Sequence, residues 1–150
     1  MKIRIASIED AADLVEFNQA MAFETEGKRL DSVVLTKGVG AVFADDKKGF
    51  YVVAEDENGN IVGGLMITFE WSDWRNAWFW WIQSVYILPA ARGKRIYSRL
   101  YEFVKEEAKK NGNVCGFRLY VEKENRNAQL VYEKCGMDSS NYLMFEEKLK

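Results

Sequence analysis

The chain has 150 residues, of which 48% are hydrophobic and 29% are charged, and its net charge is −2 with a pI near 5.4. These values are typical of a single soluble globular domain over residues 1–150, and the acidic balance argues against nucleic acid as a partner. The sequence contains no histidine, which excludes histidine-based nucleophile pairs and histidine metal sites, and we expect no metal.

Hydrophobic periodicity divides the chain into strands and helices. Ser7 is placed to cap the first helix, Asn58-Gly59 is a strong hairpin signal, and Gly136 suits the end of the last helix. In chain order the pattern predicts strand 2–6, a helix from Ser7 to about residue 22, helix 32–44, strands 49–55, 61–70 and 77–88, helix 92–111, strand 114–121, helix 125–135 and strand 141–149.

This order, β-α-α-β-β-β-α-β-α-β, predicts an α/β domain with one mixed sheet. The three strands between residues 49 and 88 are joined by short turns and therefore form an antiparallel meander. The helix after residue 92 is a crossover, so the strands before and after it become parallel neighbours. We expect a central, mostly antiparallel sheet flanked by helices.

No apolar run approaches the about 18 residues that a membrane span needs, so we expect no membrane partner and no signal peptide. Cys115 and Cys135 lie far apart and outside a CxxC spacing. They are typical of reduced thiols, which favours a cytoplasmic location.

The segment 83–107 combines a strand, a basic turn and a helix. Pro89 ends the strand, because it has no backbone N–H to donate, and Arg92-Gly93-Lys94 opens the helix. Helix starts usually carry acids, whereas this one carries cations. The pattern favours a cradle for a diphosphate; the alternative is a surface helix with a basic first turn.

Two sequence segments resemble those of a known family. Residues 85–97 read VYILPAARGKRIY, and residues 125–137 read NRNAQLVYEKCGM. The first is similar to the strand and the Q/R-x-x-G-x-G/A pyrophosphate loop of the GNAT superfamily of N-acetyltransferases, and the second to its N-x-x-A-x-x-x-Y-E-x-x-G-F signature. The resemblance covers nearly the whole chain. It implies the GNAT-like acyl-CoA N-acyltransferase fold and acetyl transfer from acetyl-CoA to an amine, by direct attack in a ternary complex.

The loop departs from the family pattern at two positions. Arg95 and Tyr97 stand where the family usually has glycine and glycine or alanine, whose small side chains let the pyrophosphate approach the backbone. Arg95 can still hold a phosphate through its own donors. A ring at position 97 crowds the cofactor if it is directed toward it.

The resemblance also implies the cofactor contacts. The strand backbone binds the pantetheine arm and polarises the thioester carbonyl, the loop amides bind the pyrophosphate, and Tyr132 protonates the departing CoA sulfur. Asn125 faces the cofactor, or serves only as a helix cap. The residues expected to bind acetyl-CoA are Val85, Tyr86, Ile87, Arg92, Gly93, Lys94, Arg95, Ile96, Tyr97, Asn125 and Tyr132.

The acceptor amine must lose a proton before it attacks, which favours a nearby carboxylate. In the family, the connections after the first helix and before the strand 77–88 wall the acceptor pocket. Our order of candidates is Glu70, Asp73, Glu24 and Glu26; each is alternatively a solvated acid, and Gln83 and Ser84 can instead orient a water.

All five tryptophans lie between residues 71 and 81. Strand alternation sends Trp78 and Trp80 to one face and Trp81 to the other. One interpretation is a core on one face and a homodimer interface on the other. The other is an aromatic wall, including Trp71 and Trp80, that binds a cationic amine with Glu70 and Asp73.

The leading hypothesis is acetylation of a primary amine of a small molecule. The alternatives are acetylation of a protein N-terminus or lysine, and a non-catalytic module of the same fold that binds acyl-CoA.

Overall fold

The computed structural model describes residues 1–149. The chain forms two compact units, one over Met1–Tyr120 and one that begins at Val121. The first unit contains β1 (Lys2–Ile5), α1 (Ala11–Glu26), α2 (Ser32–Ala44), β2 (Phe50–Glu55), β3 (Ile61–Ser72), β4 (Ala77–Ile87), α3 (Ile96–Asn111) and β5 (Val114–Arg118), and the second contains α4 (Arg126–Lys134).

The five described strands form one sheet in the order β1-β2-β3-β4-β5. Neighbours from β1 to β4 are antiparallel, whereas β4 and β5 are parallel, so the predicted meander and the predicted crossover are both confirmed. Gly59, at φ 83°, occupies the β2–β3 turn that the Asn-Gly signal predicted. The mixed α/β fold class is therefore as expected from the sequence.

Each face of the sheet has its own hydrophobic layer. On one face, residues of α1 and α2 pack against β2 and β4 in a cluster that includes Leu14, Phe17, Val39, Tyr51 and Tyr86. The alternate residues of β2 and β3 face the other way, and α3 covers them with side chains that are fully buried. The residues of this second layer include Val52, Leu65, Ile67, Leu100 and Val104.

A charged contact fixes the start of the chain onto this core. Asp10 is 5% exposed, and its carboxylate accepts two hydrogen bonds from the Arg4 guanidinium, at 2.7 and 3.0 Å. The Ser7 amide donates a third bond to it at 2.8 Å. Arg4, above all, holds the pKa of the Asp10 carboxyl below its usual range. The fully paired carboxylate stabilises the junction of β1 and α1.

Two predicted boundaries are wrong. Helix α1 continues for one turn beyond residue 22 and ends at Gly27, whose φ of 63° forms a left-handed cap. Glu24 and Glu26 therefore lie on the helix rather than in a connection. Strand β3 reaches Ser72, which places Glu70 within the strand. Polar composition suggested connections at both places, but polar residues are compatible with an exposed helix turn or an outward-facing strand position.

Two other elements are shorter than predicted, and one is absent. Helix α3 begins at Ile96 rather than 92, since Arg95 has a left-handed backbone, and β5 ends at Arg118 rather than 121. Residues 141–149 have no helix or strand in the described structure, so the predicted last strand is wrong. Alternation of apolar and polar residues is compatible with a strand, but it does not provide the partner edge that a strand requires.

Candidate active site

Strands β4 and β5 separate partway along β4. The β3–β4 pairing extends to Ile87, whereas within Met1–Tyr120 the β4–β5 pairing runs only from Trp78 to Trp81. Ser84, at φ 53°, and a register shift in the β3–β4 ladder mark the bend. The edge of β4 over residues 82–87 is therefore not paired with β5, and its outward backbone groups, apart from the Ile87 carbonyl that Arg92 contacts, are available to an extended ligand.

A short loop connects the end of β4 to α3. Gly93 and Arg95 both have a left-handed backbone, at φ 81° and 60°. The first helical hydrogen bond runs from the Arg99 amide to the Arg95 carbonyl. The amides from Gly93 to Ile96 precede that bond, where a helix start presents N–H groups and the positive end of its dipole. The loop is therefore suited to an anion, and its role in binding a diphosphate stays a prediction.

The ring of Tyr97 is directed into the fold. It is 8% exposed, and it stacks on Tyr101, one turn further along α3, with ring centres 6.1 Å apart and an interplanar angle of 8°. A ring in this position lies along the inner face of α3 rather than above the loop amides. The bulk of Tyr97 is thus compatible with a phosphate at the loop.

Arg92 extends away from the loop toward α1. Its Nη2 donates to Glu24 Oε1 at 2.9 Å, and its Nε donates to the Ile87 carbonyl at 3.0 Å. The Tyr86 hydroxyl donates to the other oxygen of Glu24. The hydrogen bond from Tyr86, and to a lesser extent that from Arg92, holds the pKa of Glu24 below its usual value. Burial, together with the neighbouring Glu24, raises the pKa of Tyr86. The end of β4, the loop and α1 are therefore joined by one polar cluster.

A second polar cluster surrounds Glu70. Glu70 Oε1 accepts from Trp81 Nε1 and from Arg118 Nη1, both at 2.8 Å. The Trp81 bond, followed by Arg118, lowers the pKa of the Glu70 carboxyl. Arg118 also stacks on Phe79, 3.6 Å from its ring centre. A carboxylate with two donors is a weak base, so the geometry favours Glu70 as a binding group.

Sequence reasoning missed Arg118. The available signal was the parallel alignment of β4 and β5, which places Arg118 opposite Trp81. That register follows from the tertiary structure, because the sequence does not fix how far β5 slides along β4.

The predicted acceptor residues fall on two faces of the sheet. Glu70 and Gln83 share one face, where Gln83 Nε2 donates to Thr68 Oγ1 at 2.6 Å. Trp71 and Trp80 lie on the other face; Trp71 packs edge-on against Trp78 at 4.9 Å, and Trp80 is in the core. The structure therefore does not bring Glu70 together with Trp71 and Trp80. As predicted, Trp78 and Trp80 share a face, opposite to that of Trp81.

The remaining predicted acids are solvent-exposed. Asp73 lies in the β3–β4 turn, where its carboxylate accepts from the Trp74 amide at 2.9 Å. Glu26 lies on the last turn of α1 and pairs with Lys28 at 3.4 Å. Neither carboxylate is held by a buried group.

In the second unit, Asn125 and Tyr132 lie at the start and on the body of α4. The Asn125 side chain accepts from the Ala128 amide at 3.2 Å, which is the geometry of a helix cap. Burial, followed by the neighbouring Cys135, raises the pKa of the Tyr132 hydroxyl, which therefore remains protonated at neutral pH. The roles of both residues toward a cofactor stay predictions.

Within residues 1–149, no cluster of three or more histidine, cysteine, aspartate or glutamate side chains is arranged to hold a metal ion. No helix in the same range combines the length and apolar character needed to cross a bilayer.

Known proteins are similar to this chain in sequence and in fold. The sequence profile of the acetyltransferase (GNAT) family matches residues 10–137. The protein named Uncharacterized N-acetyltransferase YhfO, from Bacillus subtilis (strain 168), is 27% identical over 139 residues, which is 92% of this chain and 90% of that protein.

Solved structures agree with the profile. A possible acetyltransferase from Clostridium difficile 630 is 45% identical and superposes with a TM-score of 0.91 over 99% of this chain and 97% of that one. A predicted acetyltransferase from Clostridium acetobutylicum, solved with acetyl-CoA, has a TM-score of 0.77 at 21% identity, over 97% and 95% of the two chains. At that identity the likeness concerns the fold alone.

Proposed function

The chain belongs to the GNAT family of acetyltransferases, and from this we propose that it transfers the acetyl group of acetyl-CoA to a primary amine of a small molecule. The observation that supports this most strongly is the unpaired edge of β4 beside the loop at the start of α3. An extended arm ending in a diphosphate matches that combination. The edge of β4 that is not paired with β5 is suited to the arm, and the loop amides are suited to the phosphates.

The residues of the first unit fit acetyl-CoA. The backbone of Val85 and Tyr86 and the amide of Ile87 bind the pantetheine arm, and the amides from Gly93 to Tyr97 bind the diphosphate. Lys94 and Arg95 add positive charge at the same loop. When bound, acetyl-CoA supplies an activated thioester whose carbonyl accepts the amine. This chain contributes the hydrogen bonds that hold and orient that arm.

The acceptor amine must become neutral before it attacks. A lysine-like amine titrates about three units above neutral pH, so deprotonation costs about 4–5 kcal/mol. Among the predicted carboxylates, Glu70 is held by Trp81 and Arg118, and it orients the amine or a water. Asp73 has freer access to solvent and is the alternative base. Gln83 lies on the same face as Glu70 and orients the same water.

Tyr132 donates the proton that the departing thiolate needs. Its raised pKa keeps the hydroxyl protonated until the thiolate forms. Asn125 assists by fixing the start of the helix that carries Tyr132, through its bond to Ala128.

The proposal is tested by incubating the protein with acetyl-CoA and a panel of polyamines, amino acids, aminoglycosides and short peptides, and by detecting released CoA with a thiol reagent. We expect release with at least one amine and a strong loss in Tyr132→Phe. Binding of CoA by calorimetry with no turnover on any amine would instead support a binding module. Acetylation of peptides alone would support a protein acetyltransferase.

We also propose that the protein is a homodimer in the cytoplasm. The exposed aromatic residues at the β3–β4 turn support the dimer, since Trp74 in the turn is 88% exposed, and Trp71 and Trp78 on the flanking strands are 46% and 38% exposed. Light scattering of the purified protein tests this. We expect twice the monomer mass in the wild type, and a single-chain mass would contradict the dimer.

A further inference from the structure

The guanidinium of Arg92 lies in a setting that is suited to a cation. A carboxylate oxygen of Glu24 is 2.9 Å from Nη2, the Ile87 carbonyl is 3.0 Å from Nε, and the ring centre of Tyr86 is 5.5 Å from the central carbon. A carboxylate, a carbonyl and an aromatic face are the groups with which proteins bind organic ammonium ions. The Arg92 guanidinium, a cation of the protein itself, therefore occupies a site that is suited to the cation of a ligand.

The ring, the carboxylate and the carbonyl that surround this site are kept in position by contacts other than those with Arg92. Tyr86 is 7% exposed, and its ring packs on Phe17 with centres 5.4 Å apart. Its hydroxyl fixes the Glu24 carboxylate, and the hydrogen bonding of β3 to β4 fixes Ile87. If Arg92 moved away, these groups would keep their positions and would need another cation.

The Arg92 contact is easily exchanged. The side chains of Arg92 and Glu24 are 49% and 37% exposed, and an ion pair so open to water contributes about 1 kcal/mol or less. Arg92 is the residue immediately before Gly93, at the start of the loop that suits a diphosphate. A diphosphate carries more negative charge than one carboxylate and accepts two parallel bonds from a guanidinium. A ligand at the loop therefore competes with Glu24 for Arg92.

Building on the proposed function, we propose that the diphosphate of the cofactor draws Arg92 from Glu24, and that an ammonium group of the acceptor, other than the amine that reacts, then takes the place of the guanidinium between Glu24, Tyr86 and Ile87. The cofactor consequently binds first. The acceptor is a cationic amine held beside the end of β4. Arg92 acts as a positioning residue, and Glu24 becomes a specificity-determining residue.

The first test follows the Glu24 carboxyl by carbon-13 NMR, with its signal assigned by comparison with Glu24→Gln. In the wild type, we expect CoA to raise the pKa of Glu24, because the departing guanidinium had lowered it. In Arg92→Gln without CoA, the pKa of Glu24 should already be higher than in the wild type. Adding CoA should then raise it further by a smaller amount, due only to the charge of CoA. The matched control, Lys109→Gln, removes an exposed lysine paired with Glu106 and should behave as the wild type.

Two results in this experiment would overturn the exchange. One is a Glu24 pKa that does not move when CoA is shown by calorimetry to bind. The other is an equal rise in the wild type and in Arg92→Gln. If CoA does not bind at all, the proposed function fails, and the second test below still decides whether the cation site exists.

The second test uses spermidine as the amine probe and the Ile87 amide signal as the readout. With CoA present, we expect spermidine to bind the wild type at least tenfold more tightly than it binds Glu24→Gln. Without CoA, it should bind Arg92→Gln more tightly than it binds the wild type, because the guanidinium that occupies the site is gone. Equal spermidine affinity in Glu24→Gln and the wild type, or no gain in Arg92→Gln, would refute the cation site.

Discussion

Arg95 occupies a backbone conformation that favours glycine, and replacing it by glycine should stabilise the protein. Its φ of 60° and ψ of 30° place it in the left-handed region just before α3. A non-glycine residue there costs about 1–2 kcal/mol. Glycine offsets part of that gain, about 0.5–1 kcal/mol, because it loses more freedom on folding. The expected net gain for Arg95→Gly is about 0.5–1 kcal/mol.

For a chain of 150 residues, this gain corresponds to a rise in Tm of about 2 °C. Thermal unfolding followed by circular dichroism measures it. Arg95→Ala is the matched control, since it removes the same side chain but keeps the left-handed strain. The alanine variant should be less stable than the glycine variant by about 1 kcal/mol. Alanine equal to or better than glycine would show that the loop does not adopt this backbone.

Three further experiments test other parts of the structure. Asp10→Ala should lower the free energy of unfolding in urea by about 2 kcal/mol, because it removes charge-assisted hydrogen bonds while Arg4 keeps its pair with Glu55. Because Arg4 holds the pKa of Asp10 low, this difference should be present above about pH 4 and should fade as the pH drops through the lowered pKa; a constant difference would contradict it. Gly49→Ala should destabilise the protein by about 4 kcal/mol or more, since its Cβ would lie 2.0 Å from a β3 carbonyl oxygen. Gly38→Ala, with open space around the new Cβ, should stabilise it by about 0.5–1 kcal/mol in the same assay. Similar effects of the two substitutions would be inconsistent with this packing. Tyr132→Phe should lower kcat about 100-fold or more in the CoA-release assay with an unchanged KM for acetyl-CoA, and an unaltered kcat would remove its role as the acid.

Local signals in the sequence were sufficient to predict most of the architecture. The Asn58-Gly59 turn defined the hairpin, and the crossover helix required β4 and β5 to be parallel. The basic loop was also recognisable, because cations and a glycine at a helix start are chemically unusual. The left-handed backbone of Arg95, which favours glycine, could not be predicted from local patterns.

The contacts around the candidate site depend on long-range packing and could not be predicted from local patterns. Arg92 and Glu24 are 68 residues apart, and Arg118 and Glu70 are 48 apart. The first pair depends on α1 continuing one turn further than its polar sequence suggested. The second depends on the register of two parallel strands. The burial of the Tyr97 ring likewise depends on its neighbour Tyr101.

The central claim is that the loop before α3 and the open edge of β4 together bind acetyl-CoA. Nitrogen-15 NMR of the labelled protein titrated with acetyl-CoA tests it most directly. We expect the largest shifts at the amides of Gly93, Lys94, Arg95 and Ile96, with a second group over residues 82–87. Saturable binding that leaves both groups unmoved, or no binding at millimolar acetyl-CoA, would contradict the claim.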